Sequence, residues 1–381
     1  IDLYSGIFVV EVPEEDVAPT PKATEHFLLL SESKLNEEDG GPADFIPVAF
    51  DFTWEHVTNG LLNPTLTFKK GENVRFRAVS AGVEPAMMLH IENHTLLVDA
   101  FDGYPVPNPE DAESVGLDAG VRAEFSVKFD NPGTYKFTRA PWNLGITGPE
   151  ACMAIFQADV ENCISYDKET DVGLIVVLDE EVEFDISEAL GPAGAQTSAK
   201  PEMHPYLQSL LELPKAGSRM ITFHQTDHYP IFQLEYDGPP EPMGAGLGMN
   251  NLIFNPHYFH GDIVGGTCED WTVMSVDTPP IHSFHAHSVP FYVTAIDGVE
   301  LDEGDRFWRD TMVGGLNFTA TICFPPRDVE SYVNVHCHMP IHQDLGMAAF
   351  YKLLPGGETD VEGPETPDDG QSSGGELLKT F

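Results

Sequence analysis

Short apolar runs separated by turn signals set the rhythm of this chain. Residues 1–11 (IDLYSGIFVVE) read as one apolar strand, followed by an acidic, proline-containing link. From about 26 to 160, HFLLLSE, LTFKKGENVRFRAVS, MMLHIENHTLLVDAFDG, RAEFSVKFDNPGTYKF and CMAIFQADV follow one another, divided by Lys-Gly-Glu-Asn, Asp-Gly and Asn-Pro-Gly turns. That spacing predicts a β-sandwich or barrel. Residues 161–218 are less regular: GLIVVLDEEVEFDI predicts a strand or two, and GPAGAQTSAKPEM predicts a loop, so this region is expected to be a linker. A second strand-rich block runs from 219 to 354, with ITFHQTDHYPIFQLEY, TCEDWTVMSV, HSVPFYVTAIDG, NFTATICF, YVNVHCH and GMAAFYKLL. The tail, 355–381, is rich in Gly, Ser, Asp and Glu and has little to bury, which predicts disorder.

Composition sharpens this picture. A chain of 381 residues exceeds the usual single-domain size, and its 31 Pro and 34 Gly break up any long helix. The expectation is therefore all-β, with domains at 25–160 and 219–354. No run of 18 apolar residues exists to span a membrane. The formal net charge of −43 repels nucleic acid and anionic membranes and attracts cations. Adaptation to high salt accounts for that charge, and so does steering of metal cations. Ile1 is not an initiator Met, which reads as a processed chain. Two glycosylation sequons, at Asn93 and Asn317, are weak signals of a secreted protein.

Two segments carry chemistry. One is His282-Ser-Phe-His285-Ala-His287; the other is His336-Cys337-His338-Met-Pro-Ile-His342, with Met347 ten residues past the cysteine. In a strand, residues two apart share a face. His285 and His287 therefore converge, as do His336 and His338, while Cys337 points the other way. A thiolate, two imidazoles and a weak axial thioether define a blue-copper centre, which Cys337, His342, Met347 and His282 supply. His285, His287, His336 and His338 remain as an all-imidazole set. A lone histidine is more often a packed core residue, but six at fixed spacing beside Cys and Met are not explained by packing. Zinc needs about four ligands and no axial methionine.

These segments resemble the last domain of laccase-like multicopper oxidases, whose motifs are HxxHxH and HCHxxxHxxxxM. Gly266–Trp271, Trp308-Arg-Asp-Thr311 and Asp344–Met347 resemble that family's flanking sequence. The resemblance implies cupredoxin-like Greek-key domains. It implies that His282, Cys337, His342 and Met347 bind type 1 copper, His285 type 2 copper, and His287, His336 and His338 the type 3 pair. It also implies that Cys337 passes electrons to the flanking His336 and His338, and that O2 and a phenolic or metal-ion reductant are the partners. Residues 25–160 resemble the middle domain of three-domain members. Thr138-Arg139-Ala140 stands there where a copper-bearing domain has His-Cys-His, so no copper is expected in that block. The family's full cluster needs eight histidines and four are present. Residues 1–11 resemble the closing strand of a first domain, so a missing N-terminal cupredoxin domain or chain is expected.

Other residues are ambiguous. His90 with His94, His224 with His228 and His257 with His260 are spaced to share a metal, although packing or surface roles are more ordinary. Cys152–Cys163 and Cys268–Cys323 are expected as disulfides, which points to an extracellular or periplasmic location. The competing functions are a blue-copper electron-transfer protein without oxidase activity and a copper nitrite reductase. Spacing around Cys337 argues against the second.

Overall fold

The computed structural model describes residues 23–33, 55–82, 87–141, 169–181, 203–225, 247–250, 252–276, 282–312, 317–344 and 346–357. Residues 1–11 and the Cys152–Cys163 pair lie outside them.

Alternation builds the first sandwich. Glu72–Ser80 and Arg122–Phe129 bury every second residue, as a sheet with one covered face must. One sheet has the strand order Leu61–Leu62, Glu55–Thr58, Thr24–Ser33, Glu72–Ser80, Arg122–Phe129, Leu96–Phe101, Tyr104–Pro105, with Asp111–Ala112 also paired to Leu96–Phe101. The facing sheet runs Ser114–Leu117, Met87–Ile91, Gly133–Pro141, Thr170–Glu181, Thr65–Lys70. Between them lie Phe68 stacked on Phe129 at 4.8 Å and Phe76 stacked on Phe125 at 5.3 Å. Each such ring, fully buried, contributes about 1.5–3 kcal/mol relative to exposure.

The second sandwich repeats the plan. One sheet runs Leu247–Met249, Lys215–Gln225, Thr267–Ser275, Phe318–Phe324, Phe291–Ile296, Val299–Glu300, with Phe307–Arg309 also on Phe291–Ile296. The other runs Phe259–Val264, Ala348–Leu354, Ser331–Cys337, Phe284–Ala286, Thr311–Met312. Among the described residues each of the four sheets holds one parallel pair. These are Thr24–Ser33 with Glu72–Ser80, Thr65–Lys70 with Thr170–Glu181, Lys215–Gln225 with Thr267–Ser275, and Phe259–Val264 with Ala348–Leu354. One parallel pair per sheet is thus a feature that the two sandwiches share.

The expected linker, 161–218, is more structured than its composition suggested. Thr170–Glu181 is an integral strand of the first sandwich, held between Gly133–Pro141 and Thr65–Lys70, and it buries Val172, Ile175 and Val177. Pro205–Leu211 is a helix, and Lys215–Gln225 already belongs to the second sandwich. The apolar run of this strand is flanked by acidic residues and loop composition, which masked it. Of the expected disordered tail, Gly356 pairs with Arg327, and residues beyond 357 lie outside the described set. No helix among the described residues is long and apolar enough to cross a membrane.

Cys268 and Cys323 sit directly opposite each other on neighbouring antiparallel strands and form a disulfide closing a separation of 55 residues. Leu210 of the helix packs over the bridge. Replacing both cysteines by serine should lower unfolding free energy by about 2–4 kcal/mol, because the unfolded chain regains a long loop. Urea titration checks this; an unchanged midpoint would show that the bridge adds nothing.

Candidate metal centre

The strand Ser331–Cys337 is the axis of the site. It lies between Phe284–Ala286 and Ala348–Leu354, with His336 opposite His285 and Cys337 opposite Phe284. The pleat therefore sends His336 and Cys337 to opposite faces. Every candidate ligand from the sequence falls on this strand, its neighbour or the adjoining turns.

On the interior face, the Cys337 Sγ lies 3.6 Å from His342 Nδ1 and 3.9 Å from His282 Nδ1, and the two Nδ1 atoms are 3.0 Å apart. All three residues are buried. His342 is delivered by the short helix Pro340–Asp344. Met347 is fully buried beside them: its N–H donates to His342 O and its carbonyl accepts from Cys337 N–H. That backbone clamp ties three of the four expected residues together.

On the other face, His285, His287 and His336 offer nitrogens all within 4.8 Å of one another, and His287 Nε2 is 2.9 Å from His336 Nε2. The His338 ring lies 5.0 Å from that of His285 and 5.4 Å from that of His336. These are the only two such clusters among the described residues.

Burial sets the protonation states. It takes His285 down to about 4, with His338 adding to the effect, and takes His336 down to about 3. It also lowers His287 and His338, and it pushes His342 well below the usual imidazole value. Burial raises the Cys337 thiol to about 12, against backbone hydrogen bonds from Met339 and Ser283 that lower it. At neutral pH the imidazoles thus present free lone pairs, while the thiol must lose a proton to bind metal. The unfolded imidazoles take up protons below about 6.5. His285 and His336 in the folded state do so only near 4 and 3. Protons therefore favour the unfolded chain across that window, and metal-free stability falls as pH drops through it.

The donor set fits copper: a buried thiolate with two imidazoles on one face suits a blue-copper ion, and an all-imidazole cluster on the other suits further copper. Residues 18–149 and 215–355 each match the multicopper oxidase family. The chain belongs to the multicopper oxidases. These are copper-dependent oxidoreductases that use O2, and copper is their cofactor.

Solved structures agree on the fold. A laccase-like multicopper oxidase, CueO, from Ochrobactrum sp. superposes with a TM-score of 0.61 at 18% identity, over 88% of this chain and 69% of that one. A multicopper oxidase from Campylobacter jejuni gives 0.60 at 17%, over 87% and 64%. The McoA 2F4 variant from Aquifex aeolicus gives 0.62 at 16%, over 87% and 66%. The chain thus spans about two thirds of the length of these oxidases. Comparison with curated proteins by sequence finds no match.

His228 lies outside the described residues, and the other paired histidines among those described make packing and surface contacts. His94 sits edge-on to Phe129 and Tyr135, and His90 Nδ1 bonds the Glu113 carbonyl. His224 bonds Thr222, and His260 packs beside Tyr258 and Tyr351. Sequence reasoning missed a group of residues around the imidazoles. Asp310 and Thr311 both lie within hydrogen-bonding distance of His285, and Gly120, Arg122 and Asp102 come from the first sandwich. Only Asp310 and Thr311 had a visible signal, the Trp-Arg-Asp-Thr segment.

Proton accounting tests these states. At pH 7.5, copper binding at the Cys337 site should release about one proton per ion, from the thiol. In Cys337→Ser protein, copper binding to the imidazoles should release almost none. Calorimetry in buffers of different ionisation enthalpy measures both. Near-equal proton release in the two proteins would contradict the assigned states.

Proposed function

We propose that this chain carries the type 1 copper centre and half of the trinuclear copper cluster of a laccase-like oxidase. The observation that carries the reading is the adjacency of Cys337 and His336 on one strand, facing two separate metal-ligand clusters. His282, Cys337, His342 and Met347 would hold the type 1 ion. His285 would hold type 2 copper, and His287, His336 and His338 the type 3 pair. Bound there, copper supplies one-electron oxidation of a reductant at the first centre and four-electron reduction of O2 to water at the second.

The chain's own residues do the rest. Cys337 and the peptides on either side of it join the two centres covalently. The His336 Nδ1–H donates to the Cys337 carbonyl at 2.8 Å, which leaves His336 Nε2 free for metal. Burial keeps the imidazoles neutral and restricts water. Four imidazoles do not complete a three-copper cluster, so we assign the remaining ligands to a further cupredoxin domain or chain. The disulfide Cys268–Cys323 supports an extracellular or periplasmic site of action.

Two substrate classes fit. The Ochrobactrum enzyme is described as acting on lignin model compounds and lignosulfonate, and the Campylobacter enzyme as a metallo-oxidase. A net charge of −43 favours a cationic reductant such as a ferrous or manganous ion here. The half-complement of imidazoles also leaves a second reading, blue-copper electron transfer without oxidase chemistry.

Copper-loaded protein should be intensely blue, and Cys337→Ser should abolish the colour with an unchanged far-ultraviolet circular dichroism spectrum. A colourless, copper-replete wild type refutes the type 1 assignment. Residues 1–381 alone should show no O2 uptake above background, whereas addition of a domain bearing the complementary histidine pairs should restore it. Blue protein that never gains O2 uptake would favour the electron-transfer reading.

A further inference from the structure

A buried charge network joins the first sandwich to His285. Asp102 and Gly103 form the turn after Leu96–Phe101, and Asp102 adopts φ 54°, a left-handed conformation that Asp tolerates. The turn tip inserts into the second sandwich, where the Asp102 side chain is 0% exposed. Its Oδ2 accepts from Thr311 N–H at 3.2 Å and Asp310 N–H at 3.4 Å. Its Oδ1 accepts from Arg122 N–H at 3.1 Å. Arg122, also from the first sandwich, grips the Asp310 carboxylate with both arms, at 2.8 and 2.5 Å. Arg309 comes within 3.7 Å of Asp102 and lies over the Phe101 ring at 3.8 Å. Two carboxylates and two guanidiniums balance in charge, which offsets part of the cost of burial, although burial still raises the Asp102 pKa and lowers that of Arg309.

The network ends on a ligand histidine. His285 Nδ1 lies 2.8 Å from the Asp310 carbonyl and 3.0 Å from Thr311 Oγ1. Thr311 Oγ1 donates its proton to Asp310 Oδ1 at 2.8 Å, so toward His285 it accepts. Two acceptors at Nδ1 require the proton there, which leaves the Nε2 lone pair facing the other imidazoles. The same sandwich also seats His338. Gly120, at φ 80°, lies so close that an added Cβ would fall 2.5 Å from the His338 ring.

We propose that Asp102 and Arg122 of the first sandwich are positioning residues for the imidazole copper cluster, holding the Asp310–Thr311 segment so that His285 stays in its metal-binding tautomer. This rests on the reading of His285 as a copper ligand. Neither residue touches copper. Their effect runs through the backbone carbonyl of Asp310 and the hydroxyl of Thr311, and a network that merely joined two domains would not reach a ring nitrogen.

The test uses full-chain protein, wild type and Arg122→Gln, with Arg122→Lys as the variant that keeps the charge and loses the two-armed grip. In copper-free protein labelled with nitrogen-15 histidine, wild-type His285 should be almost wholly protonated at Nδ1. Both variants should shift it toward the mixed population of a free imidazole. Titration with Cu(II) alone then reads two signals from each sample, the blue absorbance of the Cys337 site and the paramagnetic resonance of copper on imidazoles. Copper affinity at the imidazoles should fall about 10–100-fold in Arg122→Gln and less in Arg122→Lys, as for other residues that orient metal ligands, with blue absorbance retained. An unchanged tautomer and affinity in both variants overturns the proposal. So does equal loss of both copper signals, which marks a purely structural role. A wild type that binds no copper on the imidazoles overturns the copper reading itself, whereas a normal wild type with unaffected variants overturns only the positioning role.

Discussion

The two-residue period of one strand decides most of what this protein can do. Ser331–Cys337 is pleated, so neighbours must face opposite ways. That single constraint puts a thiol in the dry interior beside His282 and His342 and puts His336 among the other imidazoles, one peptide apart. A helix here would turn neighbouring side chains by about 100° and destroy the separation. The strand is held on both sides, by Phe284–Ala286 and Ala348–Leu354, and each neighbour delivers something to the site. The first brings His285 and leads into His287; the second begins immediately after Met347. His285, His336 and Cys337 are therefore fixed by the sheet itself, and the other proposed ligands sit in the turns and short helix adjoining it.

Much of this was legible in the sequence because it is local. Spacing within His282–His287 and His336–Met347 encodes which residues share a face, and the strand ladder only had to bring two short segments side by side. The Cys268–Cys323 bridge was legible for a related reason, since both cysteines lie on strong strand patterns within one domain. Thr170–Glu181 was legible as a strand but not as part of the first sandwich. Its partners, Thr65–Lys70 and Gly133–Pro141, are distant or lie across a segment whose composition suggested a linker. A strand's allegiance depends on what covers its faces, which composition does not report.

The interdomain network was not legible at all. Asp102 and Thr311 are separated by 209 residues, and nothing in a single Asp-Gly turn distinguishes one that is buried from the many that are solvated. In sequence, Asp102 and Arg122 look like ordinary surface charges in a chain with 62 acidic residues. Only the fold shows that this carboxylate has lost its water and faces backbone N–H groups and guanidiniums instead.

That contrast gives the first sandwich a physical role despite its lack of a recognisable ligand set among the described residues. Gly120, Asp102 and Arg122 all meet the imidazole side of the second sandwich. Ala119, from the same loop, is buried in the core of the second sandwich. A spacer domain needs a covered interface but has no need to place a charge-balanced group against one histidine and a glycine against another. Burying four charges is costly unless their geometry is fixed, and here the fixing groups are the Asp310 and Thr311 backbone N–H groups of the segment that also contacts His285. The same hydrogen bonds that make the buried charges tolerable constrain that segment, so interface stability and ligand orientation share one set of atoms. Under the proposed copper assignment, sequence change on the first sandwich would alter the imidazole cluster without altering any proposed ligand.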